Sequence, residues 1–314
     1  MKPGWLHGDW LLAAGSPHAE GTLYWSVFVV AFLGVAVWES IRPRAALREP
    51  AERRWGRHAL LLGASLAFSI VLLPASPLLL AASVSTSPYG ILNRAWLPFA
   101  LRWIVAVLLL DFTRYAIHRA MHSFSWLWRL HQIHHSDRDF DASTGVRSHP
   151  FEGILVRGAT LVAIALFAPP VSAVLVTELV SVFESFFTHA NARLPLSLQR
   201  PLGWFFFTPN AHVIHHSIDL HLQNSNFGDI LPWWDRLFGT YQAPLAESEL
   251  IVIGLAESQH GPHPGALALL LQPFVAPRTG SNERSSAEPA AELKAANPQS
   301  GVESSGVESG KVRA

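Results

Sequence analysis

Three short stretches hold the residues best suited to chemistry. "HRAMH" contains His118 and His122, "HQIHH" contains His131, His134 and His135, and "HVIHH" contains His212, His215 and His216. In the last two, Ile precedes the paired histidines and Ser follows them. Residues three and four apart on a helix share a face. His118 and His122 therefore stand one turn apart, the spacing at which two imidazoles can share a metal. The same spacing puts His131 on one side with His134 and His135, and His212 with His215 and His216. A single histidine on an amphipathic face is usually just solvated or hydrogen-bonded. Eight neutral imidazoles on three short helical faces call for a shared purpose, and metal ligation supplies one.

A structural zinc takes four ligands and a catalytic zinc takes three. Eight donors are too many for one ion and suit two, each keeping an open position. An all-nitrogen set fits iron, zinc or copper and disfavours magnesium or calcium. A zinc hydrolase also needs a carboxylate base near its ligands, as in His-Glu-x-x-His. Here the intervening residues are Arg-Ala-Met, Gln-Ile and Val-Ile, with no Glu. That disfavours a zinc-dependent membrane lipid hydrolase. Two irons with open positions could instead reduce dioxygen and attack a C–H bond. A histidine-cluster metal transporter is the other competing reading. It predicts polar residues along the helices, and the first three apolar stretches carry almost none.

The elements that must position these histidines read as membrane helices. Only 15% of the 314 residues are charged, against roughly 25% in soluble domains. Mean hydropathy is positive. Net charge is zero, which gives no reason to expect a nucleic-acid partner. The absence of Cys excludes disulfides, thiolate metal sites and Cys nucleophiles. The first twenty residues show no continuous apolar core of the kind a cleavable signal peptide needs.

Apolar stretches run from about Leu23 to Trp38, Ala59 to Ala82, Ala95 to Leu110 and Gly153 to Thr188. Pro169 and Pro170 break the last, which is expected to form a helical hairpin. The predicted fold class is all-α, a polytopic membrane bundle of about three spanning helices plus the proline-broken hairpin, with a cytoplasmic histidine-rich dimetal cap. Arg42, Arg44, Arg48, Arg53, Arg54 and Arg57 fall between the first two stretches, which predicts a cytoplasmic loop. Counting crossings from there brings every histidine cluster to the same side. Residues 1–275 are read as one membrane-embedded domain. Residues 276–314 lack aromatics, are rich in Ala, Ser, Glu, Gly and Pro, and are predicted to be a disordered tail.

The ordered trio of HxxxH, HxxHH and a late HxxHH resembles the membrane fatty acid hydroxylase/sterol desaturase superfamily. Flanking stretches resemble it too: "RSHP" with His149, "FTHAN" with His189 and Asn191, and "NFGDILPWWDRLFGTY" from Asn226 to Tyr241. The resemblance covers roughly Trp103 to Tyr241. It implies O2-dependent hydroxylation or desaturation of a membrane lipid, fatty acyl or sterol-like substrate by a non-haem di-iron oxidoreductase, with zinc as a possible substitute in purified protein. The eight motif histidines carry over as ligands. His189 is the ninth, at the end of the hairpin helix. Some members have another His four residues earlier, where this chain has Ser185. His149 is a candidate for that vacancy or for a group that supports a ligand.

Ligand imidazoles need hydrogen bonds on the nitrogen that does not bind metal. Asp111, two turns before His118, is a candidate for that role, as are Asn191 and Asp235. The plainer alternative for Asp111 is an ion pair with Arg114 or Arg147. Trp233, Trp234 and Phe238 are expected to anchor at the membrane interface. No fused electron-transfer region is legible, so electrons are expected from a separate donor protein. Compactness and the lack of targeting features suggest a bacterial inner membrane.

Overall fold

The computed structural model describes residues 17–94, 96–245 and 251–275. The predicted disordered tail lies outside the described residues. Helix α1 (Pro17–Ile41) carries the first apolar stretch. The second, read as one crossing, is two helices, α2 (Ala51–Leu72) and α3 (Pro77–Val84). The division follows from "PASP": Pro74 and Pro77 donate no backbone hydrogen bond, and the Ser76 hydroxyl caps α3 by accepting from the Leu79 N–H at 3.3 Å. Helix α4 (Phe99–Ser123) runs unbroken from the third stretch into "HRAMH", and α5 (Ser125–His135) follows at once.

The hairpin is formed as its prolines require. Helix α6 (Pro150–Phe167) ends at Ala168, whose φ of 47° is left-handed, and Pro170 sets the entry to α7 (Val171–Thr188). Shorter helices follow: α8 (Leu196–Leu202), α9 (Pro209–His215), α10 (Trp233–Phe238) and α11 (Ala266–Val275). Among the described residues, β-pairing is confined to two isolated bridges.

Four helical stretches are long and apolar enough to cross a membrane: Gly21–Ile41, Ala51–Val84, Pro150–Phe167 and Val171–Thr188. Their outer faces are apolar and uncovered, with Val30, Ile70 and Val71 at 70, 70 and 76% exposure. Such surface is costly in water and is what a bilayer solvates. Helix α4, expected as a crossing, is not among the four. It carries Arg102, Asp111, Arg114 and Arg119 and packs against α5, α6 and α7, with exposed apolar side chains at Phe99, Leu101 and Ile104 near its start. One core cluster joins its Leu110 to Leu78 and Ala81 of α3, Ile164 of α6 and Val174 of α7.

A second, polar core fixes the end of the bundle that carries the histidines. Arg54, fully buried at the start of α2, donates to Asp137 at 2.8 Å, to Asp141 at 3.1 Å and to the Thr144 hydroxyl at 3.3 Å. Arg147 donates to the Ile133 carbonyl at 2.9 Å and to the Ser136 hydroxyl at 2.8 Å. Burial alone would raise the Asp137 carboxyl, yet Arg147 and Arg54 hold it well below the usual carboxylate range. The arginine-rich loop is tied in as well. The Arg44 N–H donates to the Asn191 carbonyl at 2.9 Å, and Asp139 accepts from the Arg48 and Glu49 N–H groups. The loop and the histidine segments therefore share one end of the molecule.

Removing one partner from such a network leaves buried charge uncompensated. Asp137→Asn is expected to lower unfolding stability by about 3–5 kcal/mol, read as a lower thermal midpoint in mild detergent. An unchanged midpoint would show that the two guanidiniums do not need the carboxylate.

Candidate metal centre

The helix ends gather nine histidines into two groups. His118, His122, His131, His135 and His215 form one, and His134, His189, His212 and His216 the other; within each, the potential ligand atoms lie within 4.8 Å of one another. All eight motif positions and His189 are included. The allotment differs from the expected one, in which each HxxHH presents a single face. "HQIHH" gives its first and last histidines, His131 and His135, to the five-membered group and His134 to the other. "HVIHH" does the reverse, giving His212 and His216 to the four-membered group and His215 to the first. Adjacent residues on a helix point about 100° apart, so a His-His pair turns to different sides while i and i+4 stay together.

Hydrogen bonds to the rings decide what these nitrogens can do. His118 Nδ1 donates to the Phe227 carbonyl at 2.8 Å, His134 Nδ1 to the Arg147 carbonyl at 3.2 Å and His131 Nδ1 to Glu152 Oε1 at 2.9 Å. His189 Nδ1 donates to the Ser185 carbonyl and His215 Nδ1 to the Ser225 carbonyl, both at 2.7 Å. A neutral imidazole has one N–H, so each of these rings keeps a bare Nε2. Those bare nitrogens face one another. His118 Nε2 lies 3.1 Å from His131 Nε2 and 3.1 Å from His215 Nε2, and His189 Nε2 lies 3.2 Å from His134 Nε2. Acceptor against acceptor is not a hydrogen bond. Both ring nitrogens of His122 and His216 are also buried without a partner. Cations placed among the rings would satisfy all of them.

The rings are also in the protonation state that ligation needs. Burial, reinforced by neighbouring imidazoles, lowers His135, His212 and His216 well below the ordinary imidazole value. Burial likewise pushes His189 down to about 4 and His215 down to about 3.

Some expected roles fall to other atoms. His149 lies outside both groups: its Nδ1 caps α6 by accepting from the Phe151 N–H at 3.2 Å, and its Nε2 is 3.2 Å from the Leu270 carbonyl. Ser185 leaves no vacancy, because its hydroxyl donates to the Gly145 carbonyl at 3.0 Å. A Cβ on Gly145 would lie 2.2 Å from the Ser185 carbonyl, so only glycine admits this approach. Asp111 pairs with neither Arg114 nor Arg147 and touches no imidazole. It accepts from the Ile230 and Leu231 N–H groups at 3.0 and 3.3 Å and from Trp234 Nε1 at 2.8 Å. Asp235 accepts from the Phe227 and Gly228 N–H groups at 2.9 and 2.8 Å. The two carboxylates thus hold the loop whose Phe227 carbonyl orients His118. Trp234 is engaged in that lock, while Trp233 donates to the Trp204 carbonyl at 2.6 Å and Phe238 packs on Phe112 and Tyr115.

Asn191 clamps Ala45 through both side-chain atoms, at 3.1 and 2.9 Å, and not a ring. The groups that do orient imidazoles are four backbone carbonyls and Glu152. The carbonyls leave no mark in a sequence. Glu152 was visible, three residues after His149 in "RSHPFEG", but nothing in its spacing tied it to His131.

With this geometry in view, the comparisons with known proteins are informative. Residues 103–240 match the fatty acid hydroxylase family. This stretch belongs to the fatty acid hydroxylase/sterol desaturase superfamily. Human alkylglycerol monooxygenase is 32% identical over 168 residues, 53% of this chain and 36% of that protein. The ornithine lipid hydroxylase OlsE of Rhizobium tropici is 31% identical over 180 residues, 56% of this chain and 51% of that protein. Rat methylsterol monooxygenase 1 is 28% identical over 135 residues, 41% of this chain and 43% of that protein. The chain thus spans about half or less of each relative's length. No solved structure matches it. All nine clustered histidines fall inside the matched residues, as do Glu152 and the Asp111 and Asp235 loop anchors.

Two outcomes follow for the histidine groups. Glu152→Ala removes the acceptor of the His131 Nδ1 proton, and loss of such a partner typically weakens a metal site 10–100-fold, roughly. Metal retained through dialysis against a graded chelator series is expected to fall accordingly; wild-type retention would show that the carboxylate does not support the ligand. The second concerns acid. Unfolded imidazoles take up protons below the ordinary value of 6.5, whereas His189 and His215 in the folded chain stay neutral to about 4 and about 3. Because the unfolded state then binds more protons, stability falls as pH drops through that window. The thermal midpoint of metal-stripped protein should decline steadily from pH 7 to pH 5; a flat profile would contradict the buried neutral rings.

Proposed function

We propose that the protein is a membrane lipid hydroxylase that holds two irons in its paired histidine groups and uses O2 to oxidise a C–H bond. The observation that carries this reading is the set of bare Nε2 atoms aimed at one another, which metal cations placed between them would satisfy. Two bound irons would supply dioxygen reduction and the oxidising equivalent for C–H cleavage. The chain does the rest. His118, His122, His131, His135 and His215 would hold one ion, and His134, His189, His212 and His216 the other. Four carbonyls and Glu152 keep the Nδ1 protons of His118, His134, His189, His215 and His131 on the outer side of the rings, so their Nε2 stays free for metal. Burial of the groups keeps bulk water away from the reacting atoms.

The substrate enters from the membrane side. A cavity of about 390 Å³ reaches His118, His131, His134, His189 and His212 from between the bundle helices. Its walls include Phe28, Leu62, Leu66 and Val156, which suit an alkyl chain. The relatives named above are, by name, monooxygenases or hydroxylases of alkylglycerols, an ornithine lipid and methylsterols. That common theme supports a lipid substrate. Electrons would come from a separate donor protein. The arginine loop beside the histidines supports a cytoplasmic metal face by the positive-inside rule, in a bacterial inner membrane.

Protein purified from cells grown on iron-57 is expected to contain about two irons per chain by metal analysis, as the two-group geometry requires, with a coupled pair in the Mössbauer spectrum. His131→Ala and His215→Ala should each lose iron and O2-dependent lipid oxidation while keeping membrane insertion and helix content. Full oxidation by either variant would overturn the ligand assignment.

A further inference from the structure

Among the described residues, three aromatic rings pack on the clustered imidazoles. Phe227 lies 5.8, 5.1 and 5.7 Å, centroid to centroid, from His118, His122 and His215. Phe140 lies 5.4, 6.5 and 5.1 Å from His189, His212 and His216. Both phenyl rings are buried. The third ring is Trp128, 4.9 Å from His122 and 5.3 Å from His135, both in the five-membered group. Its indole is only half-buried, and it stands on α5 one turn after the exposed Phe124. It is not among the residues that line the cavity, so it meets no substrate there.

The two phenylalanines show that a phenyl ring suffices for packing on these groups. An indole differs chemically, because it gives up one electron far more readily. Trp128 is thus the one ring in contact with the groups that is both oxidisable and open to the surface. The electron count of the proposed reaction gives such a ring a task. Reducing O2 to two waters takes four electrons and four protons. Two of those electrons come with the irons and two from the C–H bond being oxidised. When no lipid fills the cavity, two electrons are missing, and Met121 and the ligand imidazoles are the side chains at risk. Met121 is buried, precedes His122 and lines the cavity.

We propose that Trp128 is a one-electron relay that completes O2 reduction when substrate is absent and so protects the histidine groups. Trp128 passes one electron inward through the His122 and His135 rings and releases its indole N–H proton to water, which leaves a neutral indolyl radical. A small reductant at the surface, such as ascorbate or a thiol, returns the electron, and water returns the proton. Two such transfers supply the missing pair. This rests on the oxygenase reading and adds to it a residue that acts through ligand rings.

The test uses the iron-loaded full chain in fluorinated-surfactant micelles, whose tails offer no C–H bond. The chain is reduced with dithionite without air, freed of excess reductant, mixed with O2 and frozen at intervals for electron paramagnetic resonance. Wild type is expected to show an organic radical whose spectrum narrows when the protein contains ring-deuterated tryptophan, and which ascorbate removes. Trp128→Phe should lose the signal, Trp126→Phe should keep it, and Trp128→Tyr should replace it with a tyrosine-type spectrum. After repeated cycles, Trp128→Phe should carry more oxygen added to Met121 and the ligand histidines by peptide mass spectrometry.

O2 consumption by wild type without a tryptophan signal would overturn the proposal, and that result stands even if the variants fail to fold. A signal retained in Trp128→Phe, or one that ascorbate cannot quench, would overturn it too. Equal damage in Trp128→Phe and wild type would reduce the indole to packing. A reduced, iron-loaded chain that consumes no O2 would sink the oxygenase reading and the relay with it, an outcome distinct from O2 consumption without a radical.

Discussion

Bare imidazole nitrogens facing one another at about hydrogen-bond distance are the constraint on which this structure depends. Neutral rings arranged this way gain nothing from each other, and charging them is blocked by burial. The surrounding fold must therefore hold the rings in place by their other nitrogen. It does so with backbone carbonyls at 2.7–3.2 Å from Phe227, Arg147, Ser185 and Ser225, and with Glu152. Three of those acceptors are anchored in turn. Asp235 pins Phe227, the arginine–aspartate core pins Arg147, and the close approach at Gly145 pins Ser185. The apolar bundle supplies the walls, but the polar network sets the positions.

The two HxxHH copies are related by exchange. Each gives its i and i+4 histidines to one group and its i+3 histidine to the other, and the copies make opposite choices. The groups differ in size for a local reason. Helix α4 adds both His118 and His122 to one group, whereas α7 adds only His189 to the other, because the residue one turn earlier is Ser185. That serine is spent on Gly145, which lets the loop from Ala142 to Val146 pack close to α7. One ion would thus be offered five imidazoles and the other four.

The same helices serve two solvents. Outward faces of α1, α2 and α6 carry uncovered aliphatic side chains, while inward faces of α4 and α7 carry Arg114, Glu178, Ser181 and Glu184 around a cavity that meets the histidines. Ionisable groups inside such a bundle persist where they pair or serve a ligand. Arg114 is paired with Glu178.

Much of this was legible in the residues alone. Apolar runs and the Pro169–Pro170 break gave the bundle and the hairpin, because chain hydropathy and the missing proline N–H act locally; the second break, at Pro74 and Pro77, went unread. The histidine spacing gave eight of the clustered donors because helical spacing also acts locally, and the superfamily resemblance added His189. What local rules could not reach was decided by packing over long sequence separations. His149, in a suggestive motif, is used as a helix cap, and Asp111 and Asp235 hold a loop and not a ring. The sharing of each HxxHH between two groups needs both copies in place at once. The carbonyls that fix the tautomers come from residues whose side chains carry no signal. Sequence determined which donors are present and on which helical faces; only the tertiary structure decided which of them meet, because a metal group is an intersection of several helix ends and no single one contains it.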